Sequence, residues 1–181
     1  MVSHLPGSFV LDRHFLRSAM TLRLRTQHQK SDELPALRSL HTAWLQELGA
    51  IARLSRLDDE LQPWLQSRDT ELLAVQHDAA TVGFACVRQQ GARKWTLEEF
   101  YVAPTERRRG LGRAAVRLVF DRHQGHWQVS APLGDTRAQV FWRTVIADYT
   151  GGAYQCRTLI DSIDYFFESR PLIRDFSSGA R

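Results

Sequence analysis

Lysine is nearly missing from this chain: of 24 basic residues, only Lys30 and Lys94 are lysines. Its positive charge is arginine, a rigid fork suited to carboxylates and phosphates rather than a loose point charge. Cysteine is scarce as well. Cys86 and Cys156 stand alone, with no CxxC pair and no Cys/His ligand spacing, which excludes a zinc site and a disulfide framework. Both lie in apolar, strand-like runs and read as buried free thiols of a reducing cytoplasm. No stretch approaches the ~20 apolar residues of a membrane span. The opening "MVSHLPGSFVLDRHFLRSAM" has no continuous apolar segment of the signal-peptide kind. The expectation is a soluble, cytoplasmic protein with no membrane partner.

Charge of one sign is not in large excess either. The balance is +4, with 20 acidic residues spread among the basic ones. That is too mild for a nucleic-acid partner, and no aromatic base-stacking platform is evident. The length of 181 residues, 43% of them hydrophobic, suits one domain around one core.

Along the chain the hydrophobic period changes several times. Residues 1–19 match nothing around them and read as an N-terminal extension. "MTLRLRTQ" alternates Leu22 and Leu24 with arginines, as a half-buried strand does. "SDELPALRSLHTAWLQELG" predicts a helix capped by Ser31 or Asp32, with Leu34, Leu37, Trp44, Leu45 and Leu48 at helical spacing. "SRLDDELQPWLQS" predicts a shorter helix with Leu57, Leu61, Trp64 and Leu65 inward. Three strand-like runs follow, "TELLAVQHD", "ATVGFACVRQQ" and "KWTLEEFYVAP", and read as an antiparallel meander. "GLGRAAVRLVFDRH" predicts a helix whose stripe is Leu111, Ala114, Ala115, Leu118 and Val119. "HWQVSAPL" is a strand. "DTRAQVFWRTVIADYTGG" is a helix capped by Asp135, and "AYQCRTLID" and "DYFFESR" are closing strands. The order β α α β β β α β α β β describes a single mixed α/β domain over about residues 20–170, with a tail at 171–181.

The densest chemistry is "ERRRGLGRAA", Glu106 to Ala115. A helix N-terminus carries unpaired N–H groups and about half a positive charge. Gly110 and Gly112 let a ligand approach the backbone, and Arg107, Arg108, Arg109 and Arg113 add forked donors. Phosphate is the natural ligand. Gly110 to Ala115 also satisfies G-x-G-x-x-G/A, with Asp135 about twenty residues on. Dinucleotide folds, however, place those glycines directly after a first, strongly apolar parallel strand. Here they follow the fourth strand and the polar segment "PTERRR". No Gly-Lys-Ser/Thr completes an ATP-type loop.

The pattern Arg-x-x-Gly-x-Gly from Arg107 to Gly112 resembles the coenzyme A pyrophosphate loop of the GNAT acetyltransferase family. "LEEFYVAP" resembles that family's fourth strand, as found in small-amine and polyamine-type members. "DTRAQVFW" is similar to its N-x-x-A-x-x-F-Y segment, with Asp135 at the Asn position and Trp142 at the Tyr position. The resemblance implies a splayed, mixed, mostly antiparallel sheet flanked by helices. It implies acetyl-CoA as cosubstrate, no metal, and an acceptor amine from a small molecule or peptide, in a monomer or homodimer. The pantetheine arm would pair with the backbone of Phe100, Tyr101 and Val102. The pyrophosphate would meet Arg107, Arg108, Arg109, Gly110, Leu111, Gly112 and Arg113, and Phe141 and Trp142 would pack against the pantetheine or the core.

Direct transfer needs a base, because an ammonium has no lone pair. Glu98 and Glu99 lie just upstream of the expected bulge in the fourth strand. Successive strand residues face opposite sides, so one of the two is expected at the cleft, with Glu98 favoured as base or amine anchor. Trp142 cannot serve as the acid that the family's tyrosine supplies. A thiolate leaving group (thiol pKa ~8.5) tolerates that loss, and Tyr101, Tyr149 and Tyr154 remain open as substitutes. The missing tyrosine also leaves open a non-catalytic acyl-CoA-binding module on the same fold.

Overall fold

The computed structural model describes residues 22–28, 30–49 and 61–169. The expected extension 1–19, the tail 171–181 and the predicted helix residues 55–60 lie outside the described residues. Alternating burial places β1 at Leu22–Thr26. Helix α1 spans Leu34–Leu48 and α2 spans Leu61–Gln66. The meander follows as β2 (Thr70–His77), β3 (Ala80–Gly91) and β4 (Lys94–Val102). One 3-10 turn, Pro104–Glu106, leads into α3 at Leu111–Arg122. The chain continues with β5 (His126–Pro132), α4 (Thr136–Thr150), β6 (Tyr154–Thr158) and β7 (Ser162–Glu168).

The seven strands form one sheet in the order β1-β2-β3-β4-β5-β7-β6. Every neighbouring pair is antiparallel except β4 with β5, which run parallel. That pair is short: it begins at Lys94 opposite His126 and ends at Leu97 opposite Val129. Beyond it the strands part, and the far half of β4 has no partner on its β5 side.

Helices α3 and α4 cover one face. Their core joins Val116, Val119, Phe120, Trp142 and Ile146 to Leu97, Trp127, Val129 and Phe167 of the sheet. Helices α1 and α2 cover the other face over β2–β4, where Leu37, Trp44 and Leu61 meet Leu72, Phe84 and Tyr101. Trp44 is buried and Trp64 packs beside it, so both are core residues of this layer.

Several local expectations change. The N-cap of α1 is Glu33, without a side-chain cap; neither Ser31 nor Asp32 holds that place. Ser31 Oγ instead accepts the His28 N–H, closing a turn ahead of the helix. Leu48, Ala114 and Leu118 are exposed, each at the margin of its helix's apolar stripe. Val116 and Phe120 fill the α3 interface instead. Cys86 is buried, but Cys156 is exposed, since β6 is the sheet's outer strand. Burial, with Glu98 and Glu99 nearby, pushes the Cys86 thiol well above its usual range.

Candidate active site

The parting of β4 from β5 is coupled to an irregularity on the other side of β4. Cys86 of β3 faces Glu99, but Val87 faces Leu97. Glu98 is thus an extra residue, a β-bulge that turns the strand and ends its pairing with β5. The bulge falls on Glu98 itself rather than downstream of it. It also changes which way the carboxylates point. Leu97 and Phe100 face the α3–α4 side, and Tyr101 faces the α1 side. Glu99 lies opposite Cys86, and Glu98 reaches Arg88, whose partner across the ladder is Thr96. Both glutamates therefore lie on the α1 face, and both act on the Cys86 thiol. The expectation that only one of them faces that side fails, because an inserted residue breaks the two-residue period.

Arg88 holds Glu98 by a fork: Nε donates to Oε1 at 2.6 Å and Nη2 donates to Oε2 at 2.7 Å. This arginine belongs to the site but is not evident from sequence; only the β3–β4 register brings it there. On the same face, Asp164 of β7 is 4% exposed and accepts hydrogen bonds from Gln128 Nε2 and Ser162 Oγ. Thr96, opposite Gln128 across the β4–β5 pair, has a buried hydroxyl with no hydrogen-bond partner among the described residues. An acid inside the apolar run "SIDYFFE" was the available signal for Asp164.

The backbone of β4 divides by alternation. The Ala103 N–H donates to Val82 O across β3. In an antiparallel ladder every second residue turns its N–H and C=O to the same neighbour. Tyr101 and Glu99 thus belong to the β3 ladder, whereas Phe100 and Val102 turn their polar groups toward the opening beside β5. Of the three residues expected to present backbone there, Tyr101 does not.

Past β4 the chain rises into the loop. Arg108 has φ 62 and Gly110 φ 78, both left-handed, and Gly110 is the N-cap of α3 without any side-chain cap. The first N–H groups of α3 are therefore open to an external acceptor. A Cβ built at Gly110 meets no atom within 4 Å, whereas at Gly112 it meets the Phe141 ring at 3.5 and 3.6 Å. Gly110 leaves room for a ligand, and a Cβ at Gly112 would sit in ordinary contact with α4. Leu111 is buried beneath the loop.

The four arginines separate. Arg109 Nη1 lies 3.1 Å from Glu106 within the loop. Arg113 pairs with Asp148 of α4 at 2.9 Å. Arg107 leaves the loop altogether: its Nε donates to Val102 O at 2.7 Å and its Nη2 lies 2.9 Å from Glu47 Oε2 on α1. Arg107 and Arg113 are thus paired with acids of the helices, and Arg109 with an acid of the loop itself.

Behind the opening, Phe100 stacks on Phe141 at 6.1 Å and 9°, and meets Trp142 edge-on at 5.7 Å. Trp142 is buried and belongs to the core. Asp135 caps α4 by accepting the Ala138 N–H at 3.0 Å. Of the three candidate tyrosines, two are hydrogen-bonded to acids and one lies on an outer strand. Tyr101 shares the α1 face with the glutamates, but burial and its hydrogen bond to Glu47 push its hydroxyl up to about 12. Tyr149 donates to Asp121 near the far end of α3, and burial with that bond raises it strongly. Tyr154 lies on β6 at the other edge of the molecule. A surface hollow of about 580 Å³ lines β5, β6 and β7 at the His126 end of the sheet, opposite the loop, and shares no residue with it. Among the described residues no group of His, Cys, Asp and Glu is arranged to hold a metal ion, and no helix is long and apolar enough to cross a membrane.

The same architecture occurs in solved structures. An acetyltransferase from Thermus thermophilus is 15% identical, with TM-score 0.61, over 83% of this chain and 99% of that one. A GNAT family acetyltransferase from Elizabethkingia anophelis with acetyl-CoA bound is 10% identical, with TM-score 0.55, over 82% and 99%. A Bacillus subtilis acetyltransferase in complex with CoA is 9% identical, with TM-score 0.56, over 81% and 98%. Comparison with curated proteins gave no match. The model of the acetyltransferase (GNAT) family matches residues 34–143, more than half of the chain, and the protein belongs to that family.

Proposed function

We propose that the protein transfers an acetyl group from acetyl-CoA to a primary amine by direct attack in a ternary complex. The observation that carries this reading is the opening between β4 and β5 beyond Leu97 and Val129, running onto the uncapped start of α3. The residues present fit coenzyme A. Phe100 offers a strand-type donor and acceptor, and Val102 a donor, to the amides of a pantetheine arm. The open N–H groups at Gly110, Leu111 and Gly112, with Arg108 and Arg109, suit a pyrophosphate. Phe100 and Phe141 wall the opening.

Acetyl-CoA supplies a thioester carbonyl; the new C–N bond forms as the C–S bond breaks, and the thiolate leaves. The chain's part is to bring an amine to the α1 face of β4 and receive its proton. Glu98, held rigid by Arg88, anchors the incoming amine and takes its proton directly or through water, with Glu99 beside it. Among the described residues no tyrosine is placed to deliver a proton to the sulfur, which departs as thiolate and is protonated by solvent. The paired carboxylates favour a cationic small amine over a neutral acceptor. A second reading, acyl-CoA binding without turnover, draws on the core placement of Trp142.

Calorimetric titration with acetyl-CoA, with NADH as comparator, tests the site. An amine panel read by free-thiol release then separates enzyme from binding module. Binding of acetyl-CoA alone followed by amine-dependent thiol release is the expected result. Binding with no thiol release would favour the second reading. Binding of NADH alone would overturn both.

A further inference from the structure

We infer that Arg107, the first residue of the loop, clamps the coenzyme A loop to helix α1 instead of binding phosphate, so that filling the loop orders α1. The inference rests on the function proposed above and concerns a positioning residue.

Arg107 joins three segments at one point. Its Nε donates to the Val102 carbonyl at the end of β4 at 2.7 Å. Its Nη2 lies 3.0 and 2.9 Å from the two carboxylate oxygens of Glu47. Its guanidinium carbon lies 5.1 Å from the centre of the Tyr101 ring, and the Tyr101 hydroxyl donates to Glu47 Oε1 at 2.9 Å. A phosphate above Gly110 would have to share this guanidinium with the Val102 carbonyl and Glu47.

Two features give the arrangement a purpose. Glu47 lies in the last turn of α1, where the helix dipole disfavours a carboxylate, and that turn holds no basic residue of its own. Arg107 supplies the missing cation from another element. Val102 O, by alternation, faces the opening, and capping it with Arg107 ends the row of acceptors offered to a pantetheine arm. The clamp therefore marks the phosphate end of the opening and reads the loop's conformation out to the opposite face. Both charged side chains are about 40% exposed, so the ion pair alone is weak. The effect comes from the Glu47 contact, the carbonyl and the ring acting together, and its expected size is a few-fold.

Hydrogen exchange over residues 34–48, with and without coenzyme A, tests this in the full chain alongside calorimetry. The variants are Arg107→Met, Glu47→Gln and the double substitution. Coenzyme A should slow α1 exchange in the unsubstituted protein. Each single variant should abolish that slowing while changing coenzyme A affinity by no more than about threefold. The double variant should match either single one, since both break the same contact. A loss of affinity of tenfold or more in Arg107→Met, with Glu47→Gln unchanged, would make Arg107 a phosphate ligand and overturn the clamp. Undiminished slowing in the variants would overturn it as well. If Arg107→Met does not fold, Arg107→Gln, which also removes the charge, takes its place with the same criteria. If the unsubstituted protein binds no coenzyme A, the proposed function fails. The clamp is then judged on α1 exchange without ligand, which the single variants must accelerate equally and non-additively for it to stand.

Discussion

A regular strand gives one face only every second side chain, yet Glu98 and Glu99 share a face because Glu98 is an inserted residue. This juxtaposition puts two carboxylates beside the parted strands. Glu98→Gln should leave coenzyme A affinity within about twofold and lower amine transfer about a hundredfold, a size usual for loss of a general base. The check is a pH–rate profile beside a calorimetric titration. An unchanged acid limb would clear Glu98 and pass the role to Glu99. At this scale the sequence names candidate residues but not their directions. The chain shows that arginines cluster at 107–109, but nothing local says that Arg107 turns back to α1. Long side chains choose partners by tertiary proximity, and Glu47 lies sixty positions away. Arg88 was hidden for the same reason.

At the level of elements, the period-2 and helical patterns in residues 70–168 carried the order and approximate ends of the strands and helices described there. What they did not carry was the bulge, which depends on the count of residues opposite β3, and the burial of stripe margins such as Leu118. Helix α3 illustrates how an element is anchored at one end to keep the other open. Its uncapped start faces the loop, while its last residue, Arg122, donates to Glu71 Oε1 on β2 at 2.7 Å. Thr26 of β1 donates to the same carboxylate, and His123 Nε2 lies 2.8 Å from its other oxygen. Burial by itself would raise the Glu71 carboxyl, but the bonds from His123, Arg122 and Thr26 outweigh it and hold it at about 2, against 4.5 ordinarily. A depressed carboxylate contributes stability that is complete above its unfolded value and lost as pH falls through the folded one. The window is therefore about pH 4.5 down to 2. Glu71→Gln should cost about 3 kcal/mol at pH 7 and flatten that acid loss. Urea midpoints at pH 7 and pH 3 measure both effects. A second test lies opposite the opening. A Cβ at Gly83 would fall 2.3 Å from the Tyr101 carbonyl. Gly83→Ala should displace the far half of β4 and weaken coenzyme A binding by tenfold or more, whereas Gly112→Ala, in ordinary contact with Phe141, should be tolerated.

For the whole molecule, a ligand that binds only the folded chain raises its stability by mass action. At a hundred times its dissociation constant, coenzyme A should add about 2.7 kcal/mol. For a domain of this size that is a rise of roughly 5–10 °C in melting temperature. The gain should depend on which arginines face the ligand rather than on the net charge of +4, which is shared over the surface. Arg109→Glu, by reversing charge beside the open N–H groups of α3, should weaken binding at least tenfold and remove about 1.4 kcal/mol of the gain at the same ligand concentration. Arg113→Glu should remove less, because Arg113 is already paired with Asp148. Salt should erode the difference between them, since exposed charges are screened over about 10 Å at 0.1 M. NADH carries a pyrophosphate but no pantetheine arm, so it reaches the loop and leaves the β4–β5 opening unfilled. Its shift should stay below about 1 °C under conditions where coenzyme A gives its full effect. Equal shifts would mean that the loop alone recognises the ligand and that the parted strands, on which the acetyl-transfer reading depends, contribute nothing to binding.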